Sequence, residues 1–185
     1  MDREIEVLVL DLLRQHIILT LATTREDGWP QATTVGYVND GLTLYVGCGA
    51  DSQKVRNIKR SNKVSLTVDR DEEDWSRIQG LSMGATAEVV SDPAEIAHAT
   101  ELMLAKFPQL KSMPEPEPGS FALLKITPKV ISVLDYRKGS ATPSSSKSQA
   151  SIDDCPEPRQ TLARICPCRA DLSSASGGQP ALIFG

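Results

Sequence analysis

The sequence predicts a mainly β domain with three flanking helices, its six or so antiparallel strands closing into a barrel. Three observations carry this. Short β-branched runs are separated by tight-turn signals at Glu26-Asp27-Gly28 and Asn39-Asp40-Gly41. Antiparallel hairpins in that number remove their exposed edges by closure. Helical patterning is confined to three short stretches.

Residues 3–15 carry apolar Ile5, Val7, Leu8, Leu10, Leu12 and Leu13, and with Asp2, Glu4, Glu6, Asp11 and Arg14 they fit an amphipathic helix. Residues 17–24 are the first strand and residues 31–38 the second. Asp40-Gly41 supplies the positive φ of a hairpin, and residues 42–48 form the third strand. A short basic helix over residues 52–60 precedes a fourth strand at 63–68. After the charged loop 69–74, residues 75–90 read as one long strand. Its interior Gly80 and Gly84 predict a bend, a bulge or the close approach of another group. Ser91-Asp92-Pro93 is a strong helix start, and the apolar pattern carries that helix to about Lys106. Residues 108–120 form a proline-rich stiff linker. Residues 121–126 and 129–136 read as two further strand pieces, broken at Thr127-Pro128.

The 185 residues leave room for one domain with a proper core, placed at 1–139. The serine- and proline-rich stretch 140–185 has no sustained period and reads as a disordered tail. The net charge of −4 does not call for nucleic acid. The cluster Lys54, Arg56, Lys59, Arg60 and Lys63 is local and lacks the interleaved aromatics of a single-strand groove. A solvated helix face accounts for most of it, an anion site at the helix start for the rest. The acidic N-terminus lacks a secretory lead, and no apolar run is long enough to span a membrane. Cys48, Cys155, Cys166 and Cys168 make no disulfide framework, so a cytoplasmic location is expected.

One stretch carries chemistry. The third strand ends on Gly47-Cys48-Gly49 and runs straight into Ser52, Gln53 and Lys54 at a helix start. Free N–H groups there favour an anion, and Lys54 adds a positive charge beside them. Thr33 and Thr34 alternate in facing, so only one of them points into the barrel. Cys48 reads more readily as a small buried hydrophobe than as a nucleophile. His16 and His98 have no metal-type spacing and read as structural. Cys155, Cys166 and Cys168 lack a fourth ligand, so no metal is expected.

The order and spacing of these pieces resemble the pyridoxamine 5'-phosphate oxidase-like, FMN-binding split β-barrel proteins, especially the short bacterial general-stress type. The matching residues are 28–37, the stretch 52–57 (Ser-Gln-Lys-Val-Arg-Asn), 64–68, 84–90 and 126–136. The resemblance covers about residues 5–139. It implies a homodimer holding two FMN molecules between subunits, and a flavin-dependent oxidoreductase acting on a small molecule. It further implies that Ser52, Gln53 and Lys54 hold the flavin phosphate. Thr33, Thr34, Val35 and Gly36 would then lie along the flavin with Gly47 and Cys48, and Gln79 would reach it. Trp75 would serve either at the subunit interface or over the flavin edge. The alternative is a protein that stores or senses a flavin, a deazaflavin or haem without turnover.

The chain also departs from the oxidase. Arginines stand there at the positions of Thr33 and Gln53, and its C-terminal Trp and Arg segment has no counterpart here. Vitamin B6 oxidase activity is therefore not expected. Family members commonly continue from this point with Phe-Gly-His-Thr and an apolar strand. Restoring one T after the Gly139 codon, in one coding of 139–149, gives Gly-Phe-Gly-His-Thr-Glu-Leu-Val-Lys-Val-Thr. The expectation is that residues 140–185 are a frameshifted reading.

Overall fold

The computed structural model describes residues 3–138. The disordered-tail and frameshift expectations for residues 140–185 fall outside them. The described chain runs α1 (Arg3–Gln15), β1 (Ile18–Thr24), β2 (Pro30–Gly36), β3 (Val38–Asp40), β4 (Thr43–Gly49), α2 (Gln53–Arg60), β5 (Lys63–Val68), β6 (Gln79–Val89), α3 (Pro93–Lys106) and β7 (Phe121–Asp135).

The seven strands form one antiparallel sheet in the order β2-β1-β5-β6-β7-β4-β3. Its two edge strands, β2 and β3, are consecutive in the chain and separated only by Tyr37. One run of backbone therefore serves both edges of the curled sheet, which is the split form of a β-barrel. The second predicted strand is thus two. Tyr37 is fully buried, its N–H donates to the Ile17 carbonyl and its hydroxyl to the Leu13 carbonyl at 2.9 Å. Burying that large side chain turns the strand from one partner to the other.

Alternate residues of each strand fill the interior: Leu19 and Leu21 on β1, Val64 and Leu66 on β5, Leu81 and Met83 on β6, Leu124 and Ile126 on β7. Val9, Leu12 and Leu13 of α1 and Val55 and Ile58 of α2 complete this core. A second, smaller core lies outside the barrel. There Ile96, Ala99, Leu102 and Met103 of α3 cover Val38, Tyr45 and Leu123. Glu95 fixes the start of α3 by accepting from the Tyr45 hydroxyl at 2.8 Å and pairing with Lys125 at 2.7 Å.

Three local expectations are corrected. Residues 75–77 are a 3-10 turn rather than strand, because the Asp74 side chain accepts from the Ser76 N–H at 3.0 Å and starts a turn there. The proline-rich 108–120 segment opens with a 3-10 turn at Pro108–Ser112. The break at Thr127-Pro128 is absent, and β7 runs through it. The register shifts between Gly84/Ala85, which pair with Val130 and Pro128, so the ladder skips Lys129 and Pro128 sits at a bulge. Bulges tolerate the missing N–H of proline. Gly84 thus marks a bulge and Gly80 a close approach, since a Cβ at Gly80 would stand 3.2 Å from the Val68 carbonyl oxygen.

Candidate functional site

The cradle at the start of α2 is built by the strand that feeds it. β4 pairs with β7 as far as Gly49 opposite Phe121, and the Ala50 N–H donates to the Ser120 carbonyl at 2.9 Å. Ser52 then stands at the N-cap in extended geometry, but its side chain caps nothing. Its hydroxyl turns back to the Cys48 sulfur at 3.8 Å. The Ser52 carbonyl accepts from the N–H groups of Val55 and Arg56. The Gln53 and Lys54 N–H groups, ahead of them in the first turn, have no partner among the described residues. Lys54 is half-buried and makes no ion pair there. Two free N–H groups and a hydroxyl stand at this helix start, with the Lys54 charge near enough to act on the Cys48 thiol, and such a set fits a phosphate.

Cys48 belongs to the same cluster. Burial pushes its thiol up, while the Ser52 hydroxyl and the Lys54 charge pull it down, and burial prevails. The thiol of the half-buried Cys48 therefore stays protonated near neutrality. Gln53 is engaged elsewhere. Its amide donates to Asn57 Oδ1 at 2.8 Å and accepts from Arg56 at 2.8 Å, which leaves its backbone N–H to face an anion. The Asp51 carboxylate lies 3.4 Å from where a Gly49 side chain would begin, so one negative group borders the cradle.

Asn57 is the residue that sequence reasoning missed. It is 1 % exposed, and its Nδ2 donates to Thr23 Oγ1 at 2.9 Å and to Gln31 Oε1 at 3.2 Å. Arg60 reinforces the joint by donating to the carbonyls of Thr24 and Arg25, at 2.9 and 2.6 Å. These bonds lock α2 onto the β1–β2 hairpin. The available signal was an asparagine, a poor interior helix former, four residues after Gln53 on the face between the buried Val55 and Ile58.

The β2 residues divide by facing. Thr33 and Val35 pair with Leu21 and Leu19 and share the inner face with Gln31. Thr34 and Gly36 take the outer face, so Thr33 is the inward threonine. A Cβ at Gly36 would meet the Phe107 ring at 3.7 Å. Gly47 is more tightly covered, since a Cβ there would stand 2.7 Å from the Phe121 ring.

Gln79 and Trp75 stand apart from this cluster within one chain. Gln79 pairs with Asp135 at the far end of β6, and its amide oxygen, in its satisfied orientation, accepts from Arg137. By register that end lies about 20 Å along the strands from the Gln31 level, at 3.3 Å per residue. Trp75 is 78 % exposed beside it. Between the two ends runs an outer sheet face of small, mostly uncharged side chains, among them Thr20, Thr34, Thr67, Ser82 and Ser132. Two grooves open on it. One of about 420 Å³ touches His16, Thr20, Thr34 and Arg70, the other, of about 490 Å³, Gln79, Ser82 and Leu134. His16 is 8 % exposed. Its Nδ1 donates to the Leu12 carbonyl at 2.7 Å and its buried Nε2 has no partner.

Among the described residues no group of three or more His, Cys, Asp or Glu side chains could hold a metal ion. No helix there is long and apolar enough to cross a membrane.

A family model described as Pyridoxamine 5'-phosphate oxidase matches residues 6–135, nearly the whole described barrel. The chain belongs to the pyridoxamine 5'-phosphate oxidase family. A solved structure from Listeria innocua, assigned as a pyridoxamine 5'-phosphate oxidase, is 25% identical. The likeness covers 71% of this chain and 98% of that one, with a TM-score of 0.60. A conserved hypothetical protein of Mycobacterium tuberculosis is 23% identical over 80% of this chain and 94% of its own, with a TM-score of 0.63. The haem storage protein of Vibrio cholerae is 20% identical over 66% of this chain and 89% of its own, with a TM-score of 0.57. The last two likenesses establish the split-barrel fold alone. Nothing among the curated proteins matches the chain.

Proposed function

We propose that this member of the pyridoxamine 5'-phosphate oxidase family binds FMN and passes electrons between the flavin and a small molecule. The observation that carries the reading is the cradle at α2, the helix start that holds the free Gln53 and Lys54 N–H groups, the Ser52 hydroxyl and the half-buried Lys54, whose charge acts on Cys48. Bound flavin would supply the redox chemistry, and the protein binds, orients and shields it. Lys54 and the two N–H groups hold the phosphate. Thr33 and Val35, on the strand joined to α2 through Gln31 and Asn57, flank the cofactor.

The protein acts as a cytoplasmic homodimer in this reading. Its support is the exposed, mostly uncharged outer face of β1, β2, β5, β6 and β7, a surface suited to another copy. A second copy would also bring Gln79 and Trp75 to a cradle that they do not reach within their own chain. Thr33 and Gln53 leave the cradle with Lys54 as its principal charge, so vitamin B6 oxidase chemistry is not part of the proposal.

The second reading is a protein that holds a flavin, a deazaflavin or haem without turnover. The likeness in fold to a haem storage protein favours keeping it. Reduction of the FMN-loaded protein by NADH or NADPH, with repeated turnover on an added acceptor, supports the enzyme. A bound cofactor that never cycles supports the second reading.

A further inference from the structure

Lys106 ends α3 against the buried ring of Tyr37. Its Nζ lies 4.1 Å over the centre of the Tyr37 ring and donates to the Leu13 carbonyl at 3.2 Å. The amine is partly buried, and that burial lowers it to about 8. An ammonium carries three donors, and among the described residues its partners are one carbonyl and one ring face. No carboxylate among the described residues pairs with it.

Beside it opens a groove of about 310 Å³. Arg14 and Lys106 line it with Val38, Asn39, Leu102 and Ala105, and no acidic side chain among the described residues does. Arg14 meets Asp11 only in an exposed pair at 3.3 Å, which water can replace at little cost. Val38 is buried and Leu102 half-buried, so the floor is apolar. A lysine that merely terminated α1 would need no such groove. Partly buried positive charge without a counter-charge is unfavourable, and an anion that brings apolar surface relieves both deficits.

We propose that this groove binds a small organic monoanion, a carboxylate with an apolar body, held by Lys106 and Arg14 over Val38, Leu102 and Ala105. The Asn39 amide donates to the Gly41 carbonyl at 3.1 Å and has a second N–H for the ligand. The site is separate from the α2 cradle. It adjoins β2, because Tyr37, which carries Lys106, follows directly on Gly36. The titratable groups around the amine are Arg14 from α1 and Tyr37, and burial keeps the Tyr37 phenol protonated. Lys106 loses its charge as pH rises through about 8, so binding weakens there.

Titration of the full chain with benzoate, followed by amide chemical shifts, tests this. The expected result is saturable shifts confined to the ends of α1 and α3 and to Val38 and Asn39. Affinity should fall about tenfold or more in Lys106→Gln, as a lost charge-assisted contact predicts, and by a smaller factor in the exposed Arg14→Gln. It should also fall between pH about 7 and about 9.5 in the wild type. Shifts that never saturate, that centre elsewhere, or that persist unchanged in Arg14→Gln overturn the proposal. Arg14 is exposed, so that variant keeps the test decisive even if Lys106→Gln does not fold. Equal binding of inorganic phosphate would overturn the assigned ligand class.

Discussion

Asn57 on α2 donates to Thr23 Oγ1 on β1 at 2.9 Å, and this bond sets where the Lys54 cradle stands relative to the sheet. Asn57 also bonds Gln31 and accepts from Gln53, so one buried amide joins two strands to the first turn of the helix. Asn57→Ala leaves these partners unsatisfied in a buried place. The expected cost is about 1–3 kcal/mol of stability, measured by urea denaturation. FMN affinity should drop with it, although Asn57 touches no phosphate. A variant as stable as the wild type would remove the joint from the account.

Gly47 lies under the Phe121 ring, with 2.7 Å between that ring and the place of a missing Cβ. Phe121 is part-exposed, so the ring can swing away at moderate cost. Gly47→Ala should destabilise by about 1 kcal/mol, and by clearly less in a Phe121→Ala background. A double-mutant cycle measures the difference. Equal costs in both backgrounds would show that the ring does not restrict the position.

Ser82 sits at the middle of the exposed sheet face, between Thr67 and Ser132. A second copy packed there would bury it. Ser82→Arg should keep the fold and shift the protein to monomers in analytical ultracentrifugation, since a buried unpaired charge costs several kcal/mol. An unchanged dimer would move the interface elsewhere.

Lys106 titrates at about 8 in the folded chain, below its ordinary value of 10.5. Between those values the unfolded chain holds a proton that the folded chain has lost. Stability from this group therefore rises with pH across that window, and the burden is fully present below about 8. Water reaches the amine and reduces the size of the effect. Denaturation midpoints of the wild type should gain on those of Lys106→Met as pH rises from about 7.5 to about 10. Parallel curves would contradict the linkage.

Much of the fold was legible because local signals and burial agree. Asp92 and Pro93 start α3 as expected, with Asp92 accepting from Ala94 and Glu95. Gly28 and Gly41 take the positive φ that their turns need. What escaped depends on partners distant in sequence. Tyr37 ends β2 because of a carbonyl on α1, and Pro128 stays in a strand because its bulge opposes Gly84. The cradle was legible at Ser52 and Lys54 through composition and position. It was not legible at Asn57, whose role exists only once Thr23 and Gln31 lie beside it. Nor did the sequence reveal that Gln79 stands at the other end of the sheet, since that follows from register.

The central claim is that the α2 cradle holds a flavin phosphate. The most direct test is the visible absorbance spectrum of purified protein incubated with FMN and desalted, for the wild type and for Lys54→Ala. Retained flavin bands in the wild type are expected, with affinity weakened by roughly 1.5–3 kcal/mol, tenfold or more, in the variant. Equal flavin retention by both proteins, or a wild type that keeps no flavin at all, would contradict the assignment.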